Sequence, residues 1–362
     1  MNTFDRQTDR QTDRQTDRQT DRRVLFLDVL RLVATFSVII LHVAAQNWSR
    51  IAVNTFEWKI FNIYDSMFTC CVILFVMISG ALFLSRSISV EMMFKKYIFR
   101  IAISFLVWSI VYAALASGDI DSKIVCFIKG HYHMWYLFMI IGLYMCYPLL
   151  NVIVKNGYSK YFLILAFVFA ILFPGFLLLM NDFGNSTIVK IMEVLESDIN
   201  NMNMFAVLGY SFYFILGYYL YQFTFDKKWQ RVIIYLCGVV GVIMKIYLTY
   251  NKSVKIGEPS QNYYSDFWIS TMFEAVAVFV LIKSRYEKRQ YHGSIIRKLS
   301  KYSFGAYLVH ALVIEVLSHY GLNTLSFNPI VSVPSIAIIV CVISFGISCI
   351  LNNIPLLNKY VV

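Results

Sequence analysis

The chain has 362 residues, 59% of them hydrophobic and only 15% charged, with a mean hydropathy of +0.62. This excludes an ordinary soluble domain, in which about half of the residues are apolar and about a quarter are charged. The formal net charge is +11, but the basic residues recur in short clusters between apolar runs, as in loops that obey the positive-inside rule. No nucleic-acid partner is therefore expected. The seven cysteines form no Cys-x-x-Cys pair and no zinc spacing, so they read as small buried hydrophobes.

The chain opens with four copies of Asp-Arg-Gln-Thr, from Asp5 to Thr20. Polar low-complexity sequence has no apolar face to bury, so residues 1–22 are expected to form a disordered tail. By the genetic code, GACA in triplicate reads GAC AGA CAG ACA, which encodes this tetrapeptide. Such tetranucleotide tracts gain and lose units during replication, so the repeat points to phase-variable expression; a neutral coding repeat is the alternative. The first apolar run is too long for the core of a cleavable signal peptide and reads as a retained helix.

Apolar runs of spanning length then recur near 24–45, 60–84, 97–116, 134–154, 161–180, 204–223, 232–250, 267–283, 302–320 and 331–354. They are continuous rather than alternating, which argues against a β-barrel. The expected fold is all-α: a polytopic integral membrane protein of about ten transmembrane helices. The membrane domain is expected over 23–356, with a short cytoplasmic tail at 357–362. Alternate loops are basic: the tail arginines, then Arg86, Lys95, Lys96 and Arg100, then Lys227, Lys228 and Arg231, then a run from Lys283 to Lys301. The intervening segments are poorer in cations, and residues 181–203 are acidic. This asymmetry puts both termini in the cytoplasm.

Arg31 and His42 lie inside the first run, VLFLDVLRLVATFSVIILHVAA. At roughly 100° per residue, their spacing brings them to one helix face, roughly 16 Å apart. Asp28, Thr35 and Gln46 fall within about 60° of the same direction. A narrow polar stripe on a spanning helix is costly unless it faces protein or water, and so marks a candidate functional site. Arginine forks onto phosphate or carboxylate, and histidine exchanges a proton near neutral pH. Pairing with carboxylates on other helices is the structural alternative, with Glu274 and Glu315 as possible partners of Arg31.

The other motifs follow in order. Ser79-Gly80 is a small pair suited to close helix packing. FKKYIFRI places Lys95, Lys96 and Arg100 at the inner mouth, as membrane anchors or as contacts to donor phosphates. HYHMWYL places His131, His133 and Trp135 at the outer start of the fourth span; a third ligand with metal spacing is missing, so no metal is expected. Leu216-Gly217-Tyr218 reads as a helix contact. SKYSFGAYLVH, Ser300 to His310, puts Tyr307 and His310 on one face, either in the cavity or as packing.

These residues together resemble acyltransferase family 3, bacterial integral-membrane acyltransferases that modify surface polysaccharide. The family signature is Arg-x10-His on the first helix, matched here by Arg31 and His42. The resemblance continues through Ser79-Gly80, Arg100-Ile101, His133-x-Trp135-Tyr136-Leu137, Leu216-Gly217-Tyr218 and Ser303-Phe304-Gly305-x-Tyr307-Leu308-x-His310. Two departures concern the third span: Tyr97 stands where many members have arginine, with Lys96 beside it, and a proline after Arg-Ile is absent. The chain also resembles stand-alone members that lack an extra hydrolase-like domain.

The resemblance implies an O-acetyltransferase of the bacterial inner membrane. The donor would be cytoplasmic acyl-CoA, usually acetyl-CoA, as a co-substrate and with no permanently bound cofactor. The acceptor would be a hydroxyl of a surface glycan such as lipopolysaccharide, O-antigen or capsule, or of a lipid-linked sugar. It gives His42 and Arg31 the catalytic roles, with Arg31, Lys96 and Arg100 toward acyl-CoA and Asp28, His133, Trp135 and His310 toward the cavity. His42 would act as general base or as transient acyl carrier. The rival class is a secondary transporter or exporter of a small anionic or sugar-linked substrate. Against it, the chain shows no second copy of the polar stripe and few Gly or Pro breaks inside its spans.

Overall fold

The computed structural model describes residues 25–287 and 294–362. The repeat, and the disorder and phase variation expected of it, lie outside these residues. Inside a bilayer only helices and closed barrels satisfy every backbone N–H and C=O. The described residues form helices and no strand.

In chain order these are α1 (Leu25–Trp48), α2 (Phe56–Phe68), α3 (Cys71–Phe83), α4 (Phe99–Leu115), α5 (Ile120–Lys129), α6 (Trp135–Lys155), α7 (Ser159–Ala166) and α8 (Phe173–Phe183). Then come α9 (Ser186–Asn201), α10 (Met204–Gln222), α11 (Lys228–Ile256), α12 (Ile269–Tyr286), α13 (Ser294–His319), α14 (Pro329–Asn352) and α15 (Pro355–Tyr360). A π-helical turn, Met93–Ile98, leads into α4. Local sequence sets several ends. Thr55 caps α2 by accepting the Trp58 N–H at 3.3 Å. Asn328 caps α14, with Pro329 in its first turn.

Among the described residues, eight helical segments are long and apolar enough to cross a membrane. They match eight of the runs read from the sequence. The other two expected spans, 204–223 and 302–320, are helical too, as α10 and α13. Neither is apolar along its whole length as an unbroken helix: α10 kinks at Gly209, and α13 carries His310, Glu315 and His319 among its apolar residues. Ile110, Leu149, Val239 and Val342 are exposed on outward faces, as lipid-facing side chains are. The protein is thus an all-α polytopic membrane protein.

The helix α1 is central, packed by α2, α3, α12, α13 and α14. Leu30, Ala34, Ile39, Val43 and Ala44 on it are fully buried. One apolar core runs through Leu30, Leu74, Met77, Ile215 and Phe279. A second, through Ile39, Val43, Leu308, Ala311 and Ala337, surrounds the His42 end of α1. The acidic stretch 181–203 is mostly helix α9, with no buried residue. Residues 357–362 pack back onto α4: Ser104 Oγ donates to Tyr360 O at 3.1 Å, and Val362 is buried.

The contact expected at Ser79-Gly80 and Leu216-Gly217 is very close. A Cβ at Gly80 would stand 1.8 Å from Phe214 O, and one at Gly217 would stand 2.1 Å from Met77 O. The two glycines let α3 and α10 meet backbone to backbone, the small-residue mode of membrane helices. Gly80→Ala is expected to cost at least the 1–3 kcal/mol typical of overpacking, about the upper end of that range, because backbone and not a movable side chain blocks the methyl. A fall in the thermal midpoint of the detergent-solubilised protein would report it. An unchanged midpoint would show that the two helices separate freely.

Candidate active site

Two polar links join α1 to α13, one toward each end of the stripe. At the first, Arg31 Nη1 donates to Ser300 Oγ at 3.0 Å and to Asp28 Oδ1 at 3.2 Å, and Ser300 Oγ donates to Asp28 Oδ1 at 2.6 Å. Thr35 Oγ1 turns back to Arg31 O at 2.8 Å. At the second, His42 Nδ1 and His310 Nε2 are 2.7 Å apart, with ring planes within 8° of parallel. Both stripe residues therefore face one neighbouring helix, as their spacing predicts.

The hydrogen positions in the second link follow from its acceptors. His310 Nδ1 lies 2.5 Å from Tyr307 O, and a carbonyl only accepts, so Nδ1 carries the hydrogen. In a neutral ring His310 Nε2 then holds a lone pair. His42 Nδ1–H donates to it, which leaves the lone pair of His42 on Nε2. A backbone carbonyl thus fixes two tautomers in series, the arrangement by which a second group orients a catalytic histidine. The Ser303–His310 motif supplies every part: the carbonyl, the second ring, and Tyr307, whose hydroxyl donates to His133 O.

A further chain reaches the same place from HYHMWYL. His131 Nε2 donates to Glu315 Oε1 at 2.8 Å, and the Nδ1 atoms of His131 and His133 are 3.1 Å apart. The His133 ring centroid lies 4.9 Å from that of His310 and 6.4 Å from that of His42. Tyr112 stacks on His131 at 4.2 Å. Among the described residues no three His, Cys, Asp or Glu side chains are disposed to hold a metal ion.

His42 forms part of the wall of two cavities. One, of about 400 Å³, is lined by His42, His133, Trp135, Tyr136 and Tyr307, and also by Asp65 and Asp266. The other, of about 530 Å³, adds Arg50, Tyr132, Glu315 and His319. Both volumes lie in the range of small-molecule sites.

His42, expected as a catalytic residue, and His133 and Trp135, expected toward the cavity, all lie in the wall of the first cavity. His310 stands directly behind His42. Asp28 belongs instead to the Arg31 link, and neither it nor Arg31 lines either cavity. Lys96 is exposed beside Tyr97, and Arg100 donates to Val362 O at 2.5 Å. The possible carboxylate partners of Arg31 are reassigned. Glu274 pairs with Lys245 at 2.7 Å and Glu315 with His131. The carboxylate on Arg31 is Asp28, one turn back on its own helix. Lys245 also donates to Ser66 O and Thr69 Oγ1, a buried knot behind the first cavity. The cavity carboxylates Asp65 and Asp266 were missed as a pair. They lie far apart in sequence, and only the fold brings them to one wall.

A family model described as "Acyltransferase domain" matches residues 24–352. The chain belongs to acyltransferase family 3. It is a membrane acyltransferase, which decides against the transporter class that the sequence left open. No curated protein and no solved structure matches the chain significantly.

Proposed function

We propose that this acyltransferase moves an acyl group, acetyl in the family's usual chemistry, from cytoplasmic acyl-CoA to a hydroxyl of a cell-surface glycan at the bacterial inner membrane. One observation carries the reading: the bond from His42 to His310, fixed by Tyr307 O, which leaves a lone pair on His42 Nε2 in the wall of two cavities. A base so placed suits the activation of an alcohol.

In the proposed step the acceptor hydroxyl gives its proton to His42 Nε2 and its oxygen attacks the thioester carbonyl carbon. The new C–O bond forms as the C–S bond breaks, and the departing thiolate of coenzyme A takes up the proton held by His42. Acyl-CoA and alcohol become ester and free thiol. His310 holds His42 in the reactive tautomer and shares the positive charge while the proton resides there. Arg31 is proposed to bind the inner, anionic part of the donor, with Lys96 and Arg100 as further cations on that side. The roughly 16 Å between Arg31 and His42 along the helix is a gap for the extended pantetheine arm to span, so the two residues act on different parts of one donor.

Labelled acetyl-CoA supplied to membranes tests this. Label is expected in the glycan fraction with the wild-type protein and not without it. Label confined to lipid or protein, or no protein-dependent transfer, would overturn the glycan acceptor.

A further inference from the structure

Among the residues lining the cavity of about 400 Å³ beside His42, three hold a buried polar atom without a hydrogen-bond partner: Trp48 Nε1, His133 Nε2 and Asp65 Oδ1. Asp65 is 2% exposed, and its Oδ1 has no hydrogen-bond partner. A buried carboxyl oxygen without a donor is costly, so native proteins seldom leave one unless a ligand or water fills the place. The second carboxyl in this wall, Asp266, is held by Tyr210, whose hydroxyl donates to Oδ2 at 2.6 Å. The half-exposed indole of Trp135 lines the same space. Among the described residues no lysine or arginine lines it. The neighbouring cavity differs, because Arg50 lies in its wall.

We infer that the cavity bearing Asp65 and Asp266 is the acceptor subsite, and that it takes an uncharged glycosyl unit and rejects an acidic one. This rests on the glycan-acceptor reading given above. The Asp65 carboxyl group, in the cavity wall, accepts a hydrogen bond from a sugar hydroxyl, while the apolar face of the ring lies on Trp135. A uronate or other acidic sugar would bring its charge beside two carboxyl groups, with no lysine or arginine in the wall to pair with it. Asp65 is thus a residue that selects the acceptor, and it takes no part in the proton transfer at His42.

The test uses the full-length protein in membranes, labelled acetyl-CoA, and two octyl glycosides as acceptor probes: a neutral hexoside and the corresponding uronoside. The expected result is a kcat/KM at least tenfold higher for the hexoside. Asp65→Asn, which keeps the shape but replaces one oxygen by a donor, should raise KM for the hexoside at least fivefold and leave KM for acetyl-CoA within twofold. Equal or better use of the uronoside would overturn the inference and point to the cavity with Arg50. An unchanged hexoside KM in Asp65→Asn would also overturn it. Transfer to neither glycoside would instead remove the glycan-acceptor reading on which it rests.

Discussion

His42→Ala is expected to lower acyl transfer by about 10²–10⁴-fold, the contribution typical of a positioned general base, while the protein still inserts and extracts normally. The expectation follows from where the ring sits. His42 is half-buried at a cavity wall, so its removal leaves a smaller void than a core truncation would. What is lost is the one nitrogen of the His42–His310 pair, His42 Nε2, that is not engaged by the bonds linking the pair to Tyr307 O. His310→Ala should fall between wild type and His42→Ala, because the base remains but its tautomer and orientation are no longer fixed. His310→Gln, whose side-chain oxygen can accept from His42 Nδ1–H, should recover part of that loss in kcat with little change in KM. A merely structural role for His310 would give no such ordering. Rates with labelled acetyl-CoA, normalised to folded protein by size-exclusion chromatography, check all three variants. Wild-type transfer in His42→Ala would remove the proposed chemistry.

The sequence carried the membrane class and the stripe because both are local. Runs of apolar residues report bilayer thickness directly, and the helical period alone puts Arg31 and His42 on one face. It also carried Gly80 and Gly217, since small residues in an apolar run have few other uses. What it could not carry was partnership across the bundle. Glu274 and Glu315 were visible as expensive charges, but which cation each meets depends on helix neighbours that periodicity does not rank. The structure gives Glu274 to Lys245 and Glu315 to His131, and leaves Arg31 with Asp28 on its own helix. The same limit applies to His310. Its motif fixed its face but not that the face meets His42.

The two links between α1 and α13 are also chemically unlike. Arg31 sits in a hydrogen-bonded triangle with the Asp28 carboxylate and the Ser300 hydroxyl. His42 is hydrogen-bonded to a second imidazole, His310, whose far nitrogen is bonded to a backbone carbonyl, an arrangement suited to moving a proton. In the proposed function, one helix pair would thereby separate donor binding from acceptor activation.

Glu274→Ala should destabilise the protein by about 3–5 kcal/mol, the usual result of removing one partner from a buried pair. Lys245 is fully buried, and its ammonium donates to Glu274 Oε2 at 2.7 Å, to Ser66 O at 3.2 Å and to Thr69 Oγ1. Without Glu274 the remaining acceptors are neutral, and a buried ammonium with only neutral partners is poorly compensated. The pair itself need not be favourable, because desolvating two ions offsets most of their attraction. The double variant Lys245→Met/Glu274→Leu should therefore unfold within about 1–2 kcal/mol of wild type, well above Glu274→Ala, if the surrounding core closes on the apolar side chains. Thermal unfolding of the detergent-solubilised variants measures both. Thr69 and Asp65 line the cavity beside His42, so acyl transfer by the double variant carries a second answer. Stability restored with transfer lost would assign Lys245 to the shape of the cavity beside His42. Stability and transfer both restored would confine the pair to the packing of α2, α11 and α12. A double variant as unstable as Glu274→Ala would show that the attraction between the two charges exceeds what their burial costs.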